Sequence, residues 1–108
     1  ISEACSRLSI QQPKMPEYAT NNAHMYYLVC KDGKQRDALI AFLKGQDIHS
    51  VFHYLSLHKS KFYKDKHDGR NIPESDRYAK CLVRLPFFYQ LEVEDQDFII
   101  KKINEFEE

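Results

Sequence analysis

The sequence predicts a small α+β domain, with helices packed on one face of a small antiparallel or mixed sheet. Short apolar and aromatic segments alternate with segments whose apolar residues recur at helical spacing, in the order β-α-β-loop-α-β-α. The length of 108 residues suits one domain with a modest core. A hydrophobic content of 43% and an aromatic content of 13% are typical of a folded chain rather than a disordered one.

The first quarter of the chain supplies the first strand. Residues 1–8 resemble the end of a helix. Residues 9–22 carry Pro13 and Pro16, which favour an extended path and indicate a linker or an edge strand. Residues 23–30 (AHMYYLVC) are aromatic and apolar and contain neither glycine nor proline, which predicts a buried strand.

A capped helix and a second strand follow. Asp32 is placed to cap the helix, and Gln35 stands at the reciprocal position of a capping box. Gly45 is expected to close the helix. Residues 48–54 (IHSVFHY) predict the second strand. The buried face of the helix is predicted to hold Leu39, Phe42 and Leu43.

A long loop then leads to a third helix. Residues 55–74 show no regular pattern, and a loop of this length in a small domain is usually functional or mobile. Ser75 is the expected cap of the next helix. The apolar face of that helix is expected to hold Tyr78, Ala79 and Leu82.

The chain is predicted to end in a strand and a helix. Residues 84–88 (RLPFF) indicate a short strand, which Pro86 assigns to the edge of the sheet. Acidic residues open the last helix and suit the positive end of its dipole; they are Glu92, Glu94, Asp95 and Asp97. The buried stripe of this helix is expected to hold Ile99, Ile103 and Phe106.

Charge and composition exclude several broad classes of protein. Lys+Arg and Asp+Glu both number 16, so nothing attracts the whole molecule to nucleic acid or to an acidic membrane. No apolar run approaches the roughly 20 residues needed to span a bilayer, and the first ten residues do not resemble a signal peptide. Cys5, Cys30 and Cys81 show no CxxC spacing and are interpreted as reduced thiols of a cytoplasmic protein, with a disulfide as the minor alternative.

The densest group of polar and aromatic residues begins at the end of the second strand. It reads His53-Tyr54-Leu55-Ser56-Leu57-His58-Lys59 and enters a basic loop. His53, Tyr54 and His58 can donate hydrogen bonds to phosphate or hydroxyl groups, and Lys59 and Lys61 can supply positive charge. On spacing alone, a solvated basic loop whose histidines are hydrogen-bonded remains the more economical interpretation.

Metal binding finds little support in the sequence. His49 and His53 would lie about 13 Å apart on a strand, which is too far for one shared zinc ion. His53, His58 and His67 could converge through the loop, but their spacing matches no Cys/His pattern of a structural zinc site. We therefore predict no metal site.

The sequence gives equally little support for nucleophilic catalysis and for nucleic-acid binding. Cys81 lies on the apolar side of a predicted helix, which favours an inert core thiol. With only three glycines, the chain holds no glycine-rich phosphate loop or nucleophile elbow. Residues 59–70 are basic and interleave Phe62 and Tyr63, but the acidic last helix and the zero net charge argue against a nucleic-acid partner.

Three stretches in this order carry a resemblance to a known family. They are Asn22-Ala23-His24-Met25-Tyr26-Tyr27, Val51-Phe52-His53-Tyr54-Leu55-Ser56-Leu57-His58 and Arg84-Leu85-Pro86-Phe87-Phe88-Tyr89-Gln90-Leu91. Together they resemble the C-terminal small domain of the DegT/StrS sugar aminotransferases. The resemblance covers residues 20–108, and residues 1–19 resemble that family's crossing segment from a large domain that this chain lacks.

The resemblance implies a fold-type I enzyme that uses pyridoxal phosphate (PLP). Such an enzyme would transfer an amino group from glutamate to a dTDP-4-keto-6-deoxy-hexose, for lipopolysaccharide, O-antigen or enterobacterial common antigen. In that family the Schiff-base lysine and the other cofactor contacts belong to the large domain, so this chain would contribute no catalytic or cofactor-binding residue and would be inactive by itself. The parent enzyme is expected to be a cytoplasmic homodimer, without nucleic-acid or membrane partners, and the isolated chain a monomer or weak dimer.

The resemblance also implies which residues hold the substrate. His53, Tyr54 and His58 match the family's motif at the mouth of the active site, where they would hold the sugar nucleotide. Lys59 and Tyr63 are weaker candidates, for contacts with its phosphates. The alternative is a stand-alone α+β module that binds an anion or a nucleotide through the basic loop 58–70.

Two further positions near these motifs carry expectations. Arg84, just before the Leu-Pro pair, is expected to be a structural hydrogen-bond anchor. Ser56 stands where the family usually has proline, and this departure is expected to loosen the loop. Both expectations concern how firmly the site is held.

Overall fold

The computed structural model describes residues 1–107, which form four α-helices and a three-stranded antiparallel sheet. The elements in chain order are α1 (Ser2–Leu8), β1 (Tyr26–Val29), α2 (Gly33–Lys44), β2 (Val51–Phe52), a 3-10 turn (Leu57–Lys59), α3 (Pro73–Cys81), β3 (Leu82–Leu85) and α4 (Val93–Glu105). The predicted α+β class and the predicted order of elements are confirmed.

The sheet has the order β1-β3-β2, with β3 in the centre. In the register, Tyr27 of β1 and Val51 of β2 both lie opposite Arg84. The prediction of an edge strand over residues 84–88 is therefore wrong. The strand begins two residues earlier and ends before Pro86, so this proline removes no hydrogen bond from the ladder.

The two faces of the sheet are covered unequally, because alternate strand residues point to opposite sides. One face packs against helices α1, α2 and α4 and forms the main core. The side chains buried most fully there are Leu28, Leu39, Leu43, Val83 and Ile103. The opposite face carries only a small buried cluster of Val29, Cys81 and Leu82, with Tyr27 partly buried beside it.

Helix α2 begins as its sequence predicts. The Asp32 carboxylate accepts a hydrogen bond from the Gln35 N–H (2.8 Å), while the Gln35 side-chain oxygen accepts one from the Lys31 N–H (2.9 Å). The Gln35 amide also donates to the Leu8 carbonyl (2.9 Å), which ties α2 to α1. Gly45 closes the helix in a right-handed conformation.

Several predicted boundaries are wrong. Helix α3 begins at Pro73, ahead of the predicted cap at Ser75, because proline fits the first helical position, where its missing N–H leaves no donor unsatisfied. The apolar face predicted for this helix also loses Leu82, because that residue belongs to β3. The second strand is two residues long, not seven, and the chain leaves it through Tyr54, which has φ of 48°.

The first strand is also shorter than predicted, over Tyr26–Val29 rather than residues 23–30. The other elements follow the sequence. Gln11 forms a single antiparallel bridge with Val29, as an extended edge segment would. In α4, Ile99 and Ile103 are buried, and Phe106 is buried just beyond the end of the helix. In the described part of the chain, no helix has the length and apolar character required to cross a membrane.

The three cysteines are free and buried. Burial, reinforced by the neighbouring Cys81, raises the pKa of Cys30 to about 12. A thiol of such high pKa carries almost no thiolate at neutral pH, so it acts as a small apolar core residue.

The core assignment predicts a contrast between two leucines. Leu43→Ala should lower the free energy of unfolding by about 2–5 kcal/mol, because it leaves a cavity where the side chain is fully buried. Leu55→Ala is the matched control and should change that free energy by less than about 0.5 kcal/mol, because Leu55 is 77% exposed. Urea unfolding of both variants measures the difference, and equal losses would contradict the assignment of the core.

Candidate substrate-binding loop

The segment between β2 and α3 is folded by short turns. The Lys59 N–H donates to the Ser56 carbonyl and the Ser60 N–H donates to the Leu57 carbonyl, both at 3.0 Å. A second turn follows, in which the His67 N–H donates to the Tyr63 carbonyl (3.0 Å). Beyond the 3-10 turn at Leu57–Lys59, the segment is irregular, as its sequence predicts.

Asp76, in the first turn of α3, holds this loop in place. Its carboxylate accepts a hydrogen bond from the Ser56 hydroxyl (2.8 Å) and pairs with the Lys59 ammonium (2.8 Å). The His58 Nε2 lies 3.2 Å from the same carboxylate. The hydrogen bonds from Lys59 and Ser56 hold the pKa of Asp76 below its ordinary value, so it stays charged at neutral pH.

The expected loosening of the loop at Ser56 is wrong. Ser56 is buried, and its hydroxyl supplies one of the bonds to Asp76. A proline at this position would have no side-chain donor for that carboxylate. No local sequence signal points to Asp76, because it lies 20 residues after Ser56 and only the fold brings the two together.

The loop also brings two histidines together. The rings of His58 and His67 lie 5.2 Å apart, and the His67 Nε2–H donates to the Arg70 carbonyl (2.9 Å). His53 instead contacts Tyr54, with ring centroids 4.5 Å apart. Across residues 1–107, no three His, Cys, Asp or Glu side chains are grouped so that they could hold a metal ion.

The structure thus places the predicted site residues in three positions. His58 and Lys59 meet at Asp76, Tyr63 lies in the following turn, and His53 and Tyr54 lie at the end of β2. Large apolar side chains around them are exposed; these are Phe52, Tyr54, Leu55, Leu57 and Phe62. This surface offers stacking and hydroxyl contacts in addition to charge.

Several cations of the basic loop are already engaged. Lys59 pairs with Asp76, Lys66 lies over the Phe62 ring (3.4 Å), and Arg70 lies 3.4 Å from Asp68. Lys61 and Lys64 have no ion pair or hydrogen bond from their side chains within residues 1–107. The attraction of the loop for anions is therefore weaker than its composition suggests.

Beside the loop, the His53 ring is partly shielded, and Arg84 differs from its expected role. The His53 Nδ1 is shielded from solvent and has no hydrogen-bond partner among the described residues. Burial lowers the pKa of His53, and the neighbouring Arg84 and His24 add to the effect. The expected role of Arg84 as a hydrogen-bond anchor is not found, because its guanidinium contacts no acceptor in residues 1–107.

An apolar cleft of about 240 Å³ lies elsewhere, between the sheet and α4. None of the predicted site residues lines it. The lining side chains are Ile1, Tyr26, Leu85, Pro86, Phe87, Leu91, Gln96, Ile99 and Ile100. Since almost all of these are apolar, the cleft offers few groups for a charged or hydroxylated ligand.

Comparison with protein families gives a match over nearly the whole chain. The profile of the DegT/DnrJ/EryC1/StrS aminotransferase family matches residues 3–104. A curated relative from Geobacillus stearothermophilus, called a pleiotropic regulatory protein, is 31% identical over 93 residues. These residues cover 84% of this chain but 25% of the relative, so the chain spans about a quarter of that protein.

Solved structures of aminotransferases share the fold. A DegT DnrJ EryC1 StrS aminotransferase from Brucella abortus is 28% identical, with a TM-score of 0.78 over 96% of this chain and 27% of its own. A sugar aminotransferase from Micromonospora echinospora is 16% identical, with a TM-score of 0.77 over 96% of this chain and 29% of its own. A Streptococcus pneumoniae protein in its PLP-form is 22% identical, with a TM-score of 0.81 over 96% of this chain and 28% of its own. The last two likenesses show the fold alone.

The geometry around Asp76 predicts how the loop responds to its loss. Asp76→Ala should speed hydrogen exchange severalfold at the Lys59 and Ser60 amides, because the turn loses the contacts that hold it to α3. Glu74→Ala is the matched control, since it removes a carboxylate from the same helical turn that pairs with Arg77 instead. If hydrogen exchange at these two amides speeds up equally in both variants, this role of Asp76 is contradicted.

Proposed function

This chain belongs to the DegT/DnrJ/EryC1/StrS aminotransferase family, and we propose that it forms the C-terminal small domain of a PLP-dependent sugar aminotransferase. The observation that carries the proposal is the family match over residues 3–104 in a chain that spans about a quarter of its relative. In this proposal residues 1–19 are the crossing segment from a large domain and residues 20–108 are the small domain. Helix α1 buries Ala4, Cys5 and Leu8 in the core of that domain.

The lysines of this chain do not fit the needs of the cofactor. A lysine that forms a Schiff base with PLP works best in a desolvated site, where its amine can lose its proton. Here every lysine is exposed except Lys102, and the Lys102 ammonium donates to the Glu105 carboxylate (2.7 Å). We therefore propose that the large domain supplies the lysine and the other cofactor contacts, and that this chain is inactive by itself.

The proposed role of this chain is to form one wall of the sugar-nucleotide site. His53, Tyr54 and His58 are its proposed main contacts, and Lys59 and Tyr63 its weaker ones. Tyr54 is well placed for this role, because its side chain is exposed at the end of β2 beside the loop. Lys59 is less suited to a phosphate, since the Asp76 carboxylate 2.8 Å away offsets its charge.

We further propose the substrate pair, from the three motifs around Tyr26, His53 and Leu85. The acceptor would be a dTDP-4-keto-6-deoxy-hexose and the donor glutamate, as in the dTDP-4-amino-4,6-dideoxygalactose transaminases. The product would serve lipopolysaccharide, O-antigen or enterobacterial common antigen. The parent enzyme would act in the cytoplasm as a homodimer.

A stand-alone module that binds anions through the loop 58–70 is the second candidate. Lys61 and Lys64 favour it, because neither ammonium group has a partner within residues 1–107. The engaged Lys59, Lys66 and Arg70 count against it. The two candidates differ in whether this chain binds a sugar nucleotide selectively by itself.

The aminotransferase proposal predicts inactivity of the isolated chain. Incubated with PLP, glutamate and the dTDP-4-keto sugar, it should form neither an aldimine absorbance band nor an amino sugar, whereas a protein that contains this sequence after a large domain should form both. Selective binding of the dTDP-sugar over unrelated anions by the isolated chain, measured by calorimetry, would favour the second candidate. An aldimine formed by the isolated chain would contradict the assignment of the cofactor lysine to the large domain.

The proposed wall predicts a specific kinetic change in the longer enzyme. Tyr54→Phe should raise KM for the sugar nucleotide by roughly two- to tenfold, the value of one lost hydrogen bond, and leave KM for glutamate unchanged. Tyr89→Phe is the matched control, because Tyr89 is fully exposed and lies in the turn after β3. An unchanged KM for the sugar nucleotide would remove Tyr54 from the site.

A further inference from the structure

The Asp76 carboxylate contacts three side chains of the loop at once. Its Oδ1 accepts a hydrogen bond from the Ser56 hydroxyl (2.8 Å) and lies 3.2 Å from the His58 Nε2. Its Oδ2 lies 2.8 Å from the Lys59 ammonium. Because the hydrogen bonds from Lys59 and Ser56 hold the pKa of Asp76 below its ordinary value, both oxygens act only as acceptors at neutral pH. Each side chain that faces this carboxylate is therefore most stable with a proton on the facing atom.

This contact decides which ring nitrogen of a neutral His58 carries the proton. A neutral imidazole has one N–H and one lone pair, and a partner at one nitrogen sets the state of the other. A lone pair on Nε2 would face the anionic oxygen 3.2 Å away, so the proton lies on Nε2 and Nδ1 becomes the acceptor. This Nδ1 has no hydrogen-bond partner within residues 1–107, and it is not among the side-chain atoms that are fully shielded from solvent. It is therefore accessible to a ligand as an acceptor.

The neighbouring His67 provides an internal comparison. Its ring centroid lies 5.2 Å from that of His58, and its Nε2–H donates to the Arg70 carbonyl (2.9 Å). A carbonyl oxygen is only an acceptor, so the neutral His67 ring also carries its proton on Nε2. The partner of His67 is a backbone group, which a substitution at Asp76 does not remove. The two rings should therefore respond differently to a change at Asp76.

We propose that Asp76 is a positioning residue that fixes His58 as a hydrogen-bond acceptor, and that His58 accepts from a hydroxyl group of the sugar in the proposed sugar-nucleotide site. The ligand rests on the aminotransferase proposal, whereas the state of the His58 ring does not. A phosphate or keto oxygen is itself an acceptor and is repelled by the Nδ1 lone pair, but a hydroxyl group can donate to it. The same carboxylate offsets the charge of Lys59, so both side chains favour a hydroxyl over a phosphate at this place. His58 thus has the opposite role to the donor role that its sequence indicates.

The state of the ring is tested in this chain by nitrogen NMR of the histidine rings at about pH 8.5, where an ordinary imidazole is neutral. His58 and His67 should both carry the proton on Nε2. Asp76→Asn should move the His58 proton to Nδ1, because Lys59 holds the amide oxygen on its own side and the amide N–H then donates to Nε2. His67 should keep its Nε2–H in this variant. A His58 ring that carries its proton on Nδ1 in the unmodified chain, or that does not change in the variant, overturns the proposal.

Ser56→Ala is the matched control for a general loosening of the loop. It removes another bond to Asp76 but leaves the carboxylate beside His58, so the proton of His58 should stay on Nε2. If Ser56→Ala moves that proton as Asp76→Asn does, or if the state of His67 changes together with that of His58, the ring follows the loop as a whole and the positioning role of Asp76 is overturned.

The hydroxyl contact is tested in the longer enzyme. Asp76→Asn should raise KM for the sugar nucleotide by roughly two- to tenfold, the value of one hydrogen bond, because the hydroxyl then meets an N–H instead of a lone pair. Inhibition by dTDP, which has the phosphates but no hexose hydroxyl, should not weaken, and KM for glutamate should stay the same. An unchanged KM for the sugar nucleotide, or an equal loss of dTDP binding, would overturn the hydroxyl contact. If the longer protein transfers no amino group at all, the aminotransferase proposal fails, while the NMR result on the His58 ring still stands.

Discussion

The pairing of β3 with both of its neighbours is the constraint on which the rest of this domain depends. Val83 and Leu85 point from β3 into the main core, and Leu82 and Arg84 point to the opposite face. A shift of one residue in the register would exchange the two sets and place Arg84 among Leu28 and the core leucines. The cost of burying that guanidinium without a partner fixes the register and, with it, the side on which the helices pack.

The same strand fixes the candidate site. Helix α3 runs directly into β3, with Cys81 as its last residue and Leu82 as the first of the strand. Asp76 is therefore placed relative to the sheet by the position of α3, and the loop is placed by its bonds to Asp76. An exposed ion pair contributes little to stability on its own. Here its effect is to choose one conformation of a long loop rather than to stabilise the domain.

Local patterns predicted most of the fold but only part of the site. The apolar spacing of Leu39 and Leu43 and the cap at Asp32 act within a few residues, and both are found. The errors at Ser75 and Pro86 came from local rules applied two or three residues out of position. Asp76 had no local signal at all, because its partners precede it by 17 to 20 residues and meet it only after folding.

The distribution of charge illustrates the same difference between composition and structure. By composition, the loop 58–70 is the anion-attracting part of the chain, but folding pairs Lys59 and Arg70 with carboxylates and places Lys66 over an aromatic ring. Arg84, which the sequence indicates as a hydrogen-bond anchor, has no acceptor for its guanidinium in the described residues. The charge that this domain offers to an anion therefore depends on which cations folding leaves without a partner, and the density of basic residues in the loop overstates it.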